Sequence, residues 1–133
     1  MTVFIDSSAI ISMMTNETDA DDLANRLELN AQAFTSPIVI HEVALAIVRK
    51  NNMTIEAALK DIRNFLTTAE ISVVDITATT ATLSLQAFDR FGKGRHRANL
   101  NMGDCFSYAC AKQYRLSLLF KGDDFNHTDI RLA

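Results

Sequence analysis

Four short apolar runs punctuate this sequence: Val3-Phe4-Ile5, Ala33-Phe34-Thr35, Ile71 to Val74 and Leu116 to Phe120. Between them lie stretches of helix length. In these, apolar residues recur every three or four positions, as Ile55, Leu59, Ile62 and Leu66 do, and Leu23, Ala24 and Leu27. Short buried strands alternating with helices predict a parallel sheet covered on both faces. Helices are expected from Ser7 or Ser8 through Ile10, Ile11 and Met14, and over Asp19–Leu29. Ser36-Pro37 opens another that runs to about Lys50, with Ser36 as the cap and Pro37 in the first turn. Three more span Thr54–Thr67, Thr77–Phe91 and Met102–Tyr114. No internal repeat or Pro/Ser-rich linker interrupts the pattern, so residues 1–133 read as one domain.

Composition removes several classes of protein. Apolar residues make up 48% of the chain, enough for a real core, and one proline with four glycines excludes a fibrous or low-complexity chain. Cys105 and Cys110 stand five apart in a helical stretch, which turns them away from each other. With no further cysteine, neither a zinc site nor a disulfide framework can be built. They read as small buried residues in a reducing cytosol. No signal peptide is visible, and no apolar stretch approaches the ~18 residues of a membrane span. The net charge is −3, not that of a typical nucleic-acid binder. Mild acidity does suit a protein whose carboxylates gather metal ions, because the bound cations supply the missing charge.

The acids are distributed in a telling way. Ligands of parallel α/β sheets sit outside the carboxyl ends of the strands. Asp6 follows the first apolar run directly, and Asp123 and Asp124 follow the last. Glu42 lies in a helix apolar almost all round, where a carboxylate is costly unless paired or holding a metal. Asp104 opens the helix Met102-Gly103-Asp104-Cys105-Phe106-Ser107-Tyr108-Ala109, whose next turns are small and apolar. Each acid alone has a blander role. Asp6 could be a helix cap, Asp104 could complement a helix dipole, and Asp123-Asp124 could be a turn. Glu42 could point outward beside Arg49 or His41, and His41 itself reads as a surface residue. Taken together, the acids lie next to the same sheet edge. Carboxylates gathered there repel one another, and a divalent cation removes the conflict. All-oxygen sites select Mg²⁺ or Mn²⁺, and such ions assist phosphodiester hydrolysis. No Ser/His/Asp, His/Cys or P-loop pattern offers a competing mechanism.

These segments also resemble a known family. Val3-Phe4-Ile5-Asp6-Ser7-Ser8-Ala9 resembles the opening of PIN-domain ribonucleases, and Ser36-Pro37 leading to Glu42 resembles their second acidic element. Leu100-Asn101-Met102-Gly103-Asp104-Cys105-Phe106-Ser107-Tyr108-Ala109 is close to the third-acid motif of VapC-type toxins. Leu118-Leu119-Phe120-Lys121-Gly122-Asp123-Asp124-Phe125 with Thr128-Asp129-Ile130 is similar to the closing motif of one VapC subgroup. The resemblance spans essentially the whole chain. It implies a PIN-like three-layer α/β/α sandwich with a short, mainly parallel central sheet. It implies RNA cleavage with Mg²⁺, or Mn²⁺ as substitute, and neutralisation by a VapB-like antitoxin. Asp6 and Asp104 map onto the principal metal ligands, and Glu42 onto the acid that completes the site. The fourth acid stays open between Asp123, Asp124 and neither, because Gly122 occupies the place where many family members carry an acid. A homodimer is implied, with structured tRNA as the family-level substrate among tRNA, rRNA and mRNA.

Two features fall outside the acidic set. Lys93, Arg95, His96 and Arg97 form a glycine-punctuated basic loop. It is either a solvated loop or, as favoured here, a phosphate contact guiding RNA to an acidic pocket. Met13, Met14 and the Asp19–Leu29 helix are candidates for a dimer or antitoxin groove, with core packing as the default. The competing functions are a non-catalytic PIN-like module that binds RNA or protein, and a phosphoacceptor receiver domain. The receiver lacks support because Asp6-Ser7-Ser8 offers no acidic pair.

Overall fold

The structure is a computed structural model that describes residues 1–133. Its sheet has four parallel strands: β1 (Thr2–Ile5), β2 (Gln32–Thr35), β3 (Ile71–Val73) and β4 (Ser117–Leu119). Their order is β3-β2-β1-β4. Val3 aligns with Ala33 on one side and Ser117 on the other. Val3, Phe4 and Ile5 are fully buried, as expected of a central strand covered on both faces.

Helices fill the connections: α1 (Ser7–Met14), α2 (Ala20–Glu28), α3 (Pro37–Asn51), α4 (Ile55–Thr68), α5 (Ala78–Phe91) and α6 (Met102–Gln113). The chain steps from β1 to β2 to β3 in one direction, then crosses back over β1 to reach β4. With right-handed crossovers, α1–α4 cover one face and α5–α6 the other. This is the expected α/β/α sandwich. The strand order reverses between β1 and β4, and the crevice at such a reversal is where α/β sheets bind ligands.

Local chemistry explains most boundaries. The Ser36 side chain accepts a hydrogen bond from the Val39 amide at 3.2 Å, and Pro37 opens α3. Asn52 closes α3 in the left-handed region at φ 49°. Thr77 and Asn101 each start a helix with a reciprocal capping box. At α1 the sequence leaves the cap open between Asp6 and the serines that follow it, and the structure gives it to Asp6. The Asp6 amide extends the sheet by donating to the Leu119 carbonyl at 3.0 Å. That holds Asp6 extended, with its carboxylate over the Ser8 amide.

Helix α3 is also less enclosed than its apolar sequence suggests. Leu45 is 42% exposed and His41 lies on the surface. No helix is long and apolar enough to cross a membrane. Cys105 and Cys110 are buried and unpaired.

Candidate active site

Asp6 stands at the carboxyl end of β1, only 2% exposed. Both of its oxygens are engaged. Oδ2 accepts from the Ser8 amide at 3.1 Å and the Ser8 hydroxyl at 2.6 Å, and Oδ1 accepts from the Ser107 hydroxyl at 2.5 Å. Ser8 in turn accepts from the Lys121 amide at 3.0 Å, tying the end of β4 to the start of α1. The carboxylate is therefore fixed from three segments of chain.

Glu42 reaches the same place from the second turn of α3. Its Oε1 is buried without a hydrogen-bond partner. Burial, followed by the Asp6 charge, pushes its carboxyl up to about 7, against a lowering hydrogen bond from Ser7 and with a smaller push from Asp104. Gly103 makes room for it: a Cβ there would overlap the Glu42 carboxylate. The glycine is required by this close approach and not by its backbone angles.

Asp104 belongs to the first turn of α6. Its Oδ2 accepts from the Asn101 amide at 3.1 Å, while the Asn101 side chain caps the Asp104 amide at 2.9 Å. Burial raises its carboxyl to about 6; the charges of Asp6 and Asp124 push in the same direction, and the Asn101 amide opposes them. Asp124 opens the single 3-10 turn, Asp124–His127, after β4.

The structure thus places Asp6 and Asp104 within electrostatic reach of Glu42, Asp6 within reach of Asp104, and Asp124 within reach of Asp104 alone. Asp123 turns away. It pairs with Asn126 at 2.5 Å and His127 at 3.1 Å, which hold its carboxyl below the usual range. Of the two neighbours, Asp124 is the one whose charge reaches Asp104.

The acids do not close into a tight chelate. No three His, Cys, Asp or Glu side chains converge as a ready-made ligand set, so the expected trap of Asp6, Glu42 and Asp104 is looser than anticipated. Each acid answers to its own surroundings and not to a common centre. Asp6 and Asp104 are drawn onto hydroxyl and amide donors, and Glu42 is left protonation-prone. The donor set still fits a hard cation. Mg²⁺ binds through one or two carboxylates and retains waters. An orphaned buried carboxylate oxygen beside two further acids is the electrostatic strain such an ion relieves.

The basic loop divides. Arg95 pairs with Asp89 at 3.1 Å and lies over the Phe88 ring. His96 packs edge-on against Phe91 and accepts from the Ala98 amide. Lys93 and Arg97 are exposed and make no ion pair. The Leu100 amide and carbonyl, bonded to the Phe91 carbonyl and Lys93 amide, hold the loop next to the start of α6.

Comparison with known proteins decides the family. The PIN-domain family model matches residues 3–131. This chain belongs to the PIN-domain family. Ribonuclease VapC30 of Mycobacterium tuberculosis is 39% identical over 126 residues, covering 95% of this chain and 94% of that protein. A VapC ribonuclease of Rhizobium meliloti is 33% identical over 139 residues, covering 96% and 98%. Among solved structures, M. tuberculosis VapC20, described as a sarcin-ricin loop cleaving toxin, superposes with a TM-score of 0.76 at 18% identity and 98% coverage of both chains. A toxin–antitoxin complex from Klebsiella pneumoniae gives 0.73 at 19% identity, with coverage of 98% and 96%. At these identities the structures establish the PIN fold alone.

Sequence reasoning missed three contributors to this PIN-domain site. Ser107 and Ser8 orient Asp6, and Gly103 admits Glu42. The available signal was spacing. Ser107 and Gly103 flank Asp104 on the inward side of a buried helix, where small residues mark close approach.

Proposed function

We propose that this PIN domain is a toxic endoribonuclease of a VapBC-like toxin–antitoxin system, cleaving RNA by divalent-metal-assisted hydrolysis. The observation that carries the proposal is the electrostatic coupling of Asp6, Glu42 and Asp104, from three separate segments, beside the strand-order reversal, with Asp124 coupled to Asp104. Curated relatives named ribonucleases, covering nearly all of the chain, support it.

In this reading Asp6 and Asp104 hold Mg²⁺ or Mn²⁺, with Glu42 and Asp124 completing the acidic lining. When bound, the ion supplies positive charge to the scissile phosphate and acidifies the attacking water. Ser8 and Ser107 keep both Asp6 oxygens oriented. Glu42 Oε1, with no hydrogen-bond donor of its own, is available to take the water's proton. Lys93 and Arg97 contact the RNA backbone, and Arg95 contributes less because Asp89 already neutralises it. Asp123 has no part in the chemistry.

A VapB-like antitoxin is the proposed protein partner. The groove between α2 and α4 suits it. Met13, Ala24, Leu27 and Phe65 line about 580 Å³, with Asp21, Glu28 and Glu70 at the border. Such a groove favours an apolar segment carrying basic residues. A homodimer belongs to the same proposal, with Leu85 on α5, 71% exposed, as an apolar contact.

The test is RNA cleavage with Mg²⁺ or Mn²⁺ supplied. Wild type cuts, and Asp6→Asn and Asp104→Asn do not while remaining folded. If both variants cut as well as wild type, the proposed site is wrong. Binding of RNA by wild type without cleavage would instead make the chain a non-catalytic PIN module.

A further inference from the structure

Tyr108 and Asp129 form a contact that the chemistry above does not use. The Tyr108 hydroxyl donates to Asp129 Oδ1 at 2.5 Å. Lys112 and Arg90 reach the other oxygen at 3.3 and 3.6 Å. Tyr108 is 5% exposed, so its hydroxyl needs an internal partner, and Asp129 supplies one. Together these residues line a cleft of about 360 Å³ between α5, α6 and the final segment.

Placement gives the contact its meaning. Tyr108 lies one helical turn after Asp104, on the same face of α6. Asp129 lies five residues after Asp124, beyond the single 3-10 turn that Asp124 opens. The final segment is also held to the core by buried Phe125, stacked edge-on against Phe120, and by buried Ile130, and to β4 by backbone bonds that join Arg131 and Ala133 to Leu118 at 2.9 Å. Those contacts join the segment to β4 and to the core, not to the helix that carries Asp104. The Tyr108–Asp129 bond is directional and joins the segment to α6 itself.

We propose that Tyr108 is a positioning residue. Through its hydroxyl bond to Asp129, it fixes the segment carrying Asp124 against the helix carrying Asp104. It acts at a distance from the reacting atoms and touches no substrate. The proposal rests on the nuclease function above. Without the clamp, Phe125 and Ile130 keep the segment docked while Asp124 drifts. The site then retains a cation less well, and its geometry for the chemical step degrades.

Tyr108→Phe removes the hydroxyl and leaves the ring. We expect its Tm within a few degrees of wild type and its KM for RNA unchanged. Its kcat falls between about tenfold and about a hundredfold, the cost of a misplaced group, and the Mn²⁺ concentration for half-maximal rate rises several-fold. Asp129→Asn, whose amide oxygen still accepts from Tyr108, keeps most of the wild-type kcat, whereas Asp129→Ala behaves like Tyr108→Phe. A wild-type kcat in Tyr108→Phe overturns the proposal, and so does a kcat loss with Mn²⁺ half-saturation unmoved. If wild type cuts no RNA, the nuclease function falls and amide hydrogen exchange decides the clamp alone. Faster exchange confined to residues 123–128 in Tyr108→Phe supports it; unchanged exchange overturns it.

Discussion

A methyl group on Gly103 would collide with the Glu42 carboxylate, which makes Gly103→Ala a way to move one acid without removing it. The variant should keep its fold, because the displaced atoms end a flexible side chain. Its cleavage rate should drop between about tenfold and about a hundredfold, measured beside thermal melting. The same acids link stability to pH. Glu42 and Asp104 hold protons up to about 7 and about 6 in the folded chain, against 4.5 and 3.8 ordinarily. Raised folded values favour folding at low pH, and that advantage is lost as pH climbs through them. Metal-free protein should therefore melt at lower temperature at about pH 8 than at about pH 5. Added Mg²⁺ should recover more of the loss at the higher pH. A Tm that rises over this range would contradict the electrostatics. The identities of these acids were legible in the sequence, because an acid after an apolar run or inside an apolar helix is locally anomalous. Their donors were not. Ser107 meets Asp6 across 101 positions of chain, and no local pattern encodes such a meeting.

Elements begin and end here for reasons that are mostly local, which is why their order and approximate limits could be read directly. Ser36-Pro37, Thr77 and Asn101 carry their caps within three residues. The cap of α1 shows where local rules are not enough: Ser7 and Ser8 are also good caps, but pairing with β4 extends Asp6 and gives it the position. Asp6 thus serves both helix and site, and two substitutions separate the roles. Asp6→Asn retains an acceptor for the Ser8 amide and should lose cleavage with little change in Tm. Asp6→Ala should lose cleavage and also about 1 kcal/mol of stability from the missing cap, visible in chemical denaturation. Equal stabilities for the two variants would deny Asp6 its capping role.

On the proposed function, the whole molecule has to bring a polyanion to a pocket of acids with a net charge of −3. The proposed means is the small cationic surface of Lys93 and Arg97. Lys93→Glu and Arg97→Glu should each weaken RNA binding at low salt and reduce the dependence of log K on log salt by about one phosphate contact. Arg95→Glu should have a smaller effect, since the Asp89 pair and the Phe88 ring already occupy that guanidinium. Titration of RNA at several salt concentrations distinguishes these outcomes. The sequence displayed this loop as one block of charge. Only the folded chain separates the available cations from the one that is tied down, because Arg95 and Asp89 meet through the turn between α5 and α6.

The central place of β1 bears on how such a protein is made. As translation proceeds, the first strand can pair early with β2, but its other edge must wait for β4, which supplies Leu119 to Asp6. Ser107 and Asp124 are also late arrivals from the ribosome. A nascent chain therefore carries Asp6 without these supports until the segment through β4 has been made. On the proposed function, a chain stopped before Ser117 should cut no RNA, and activity should arise only once β4 has emerged.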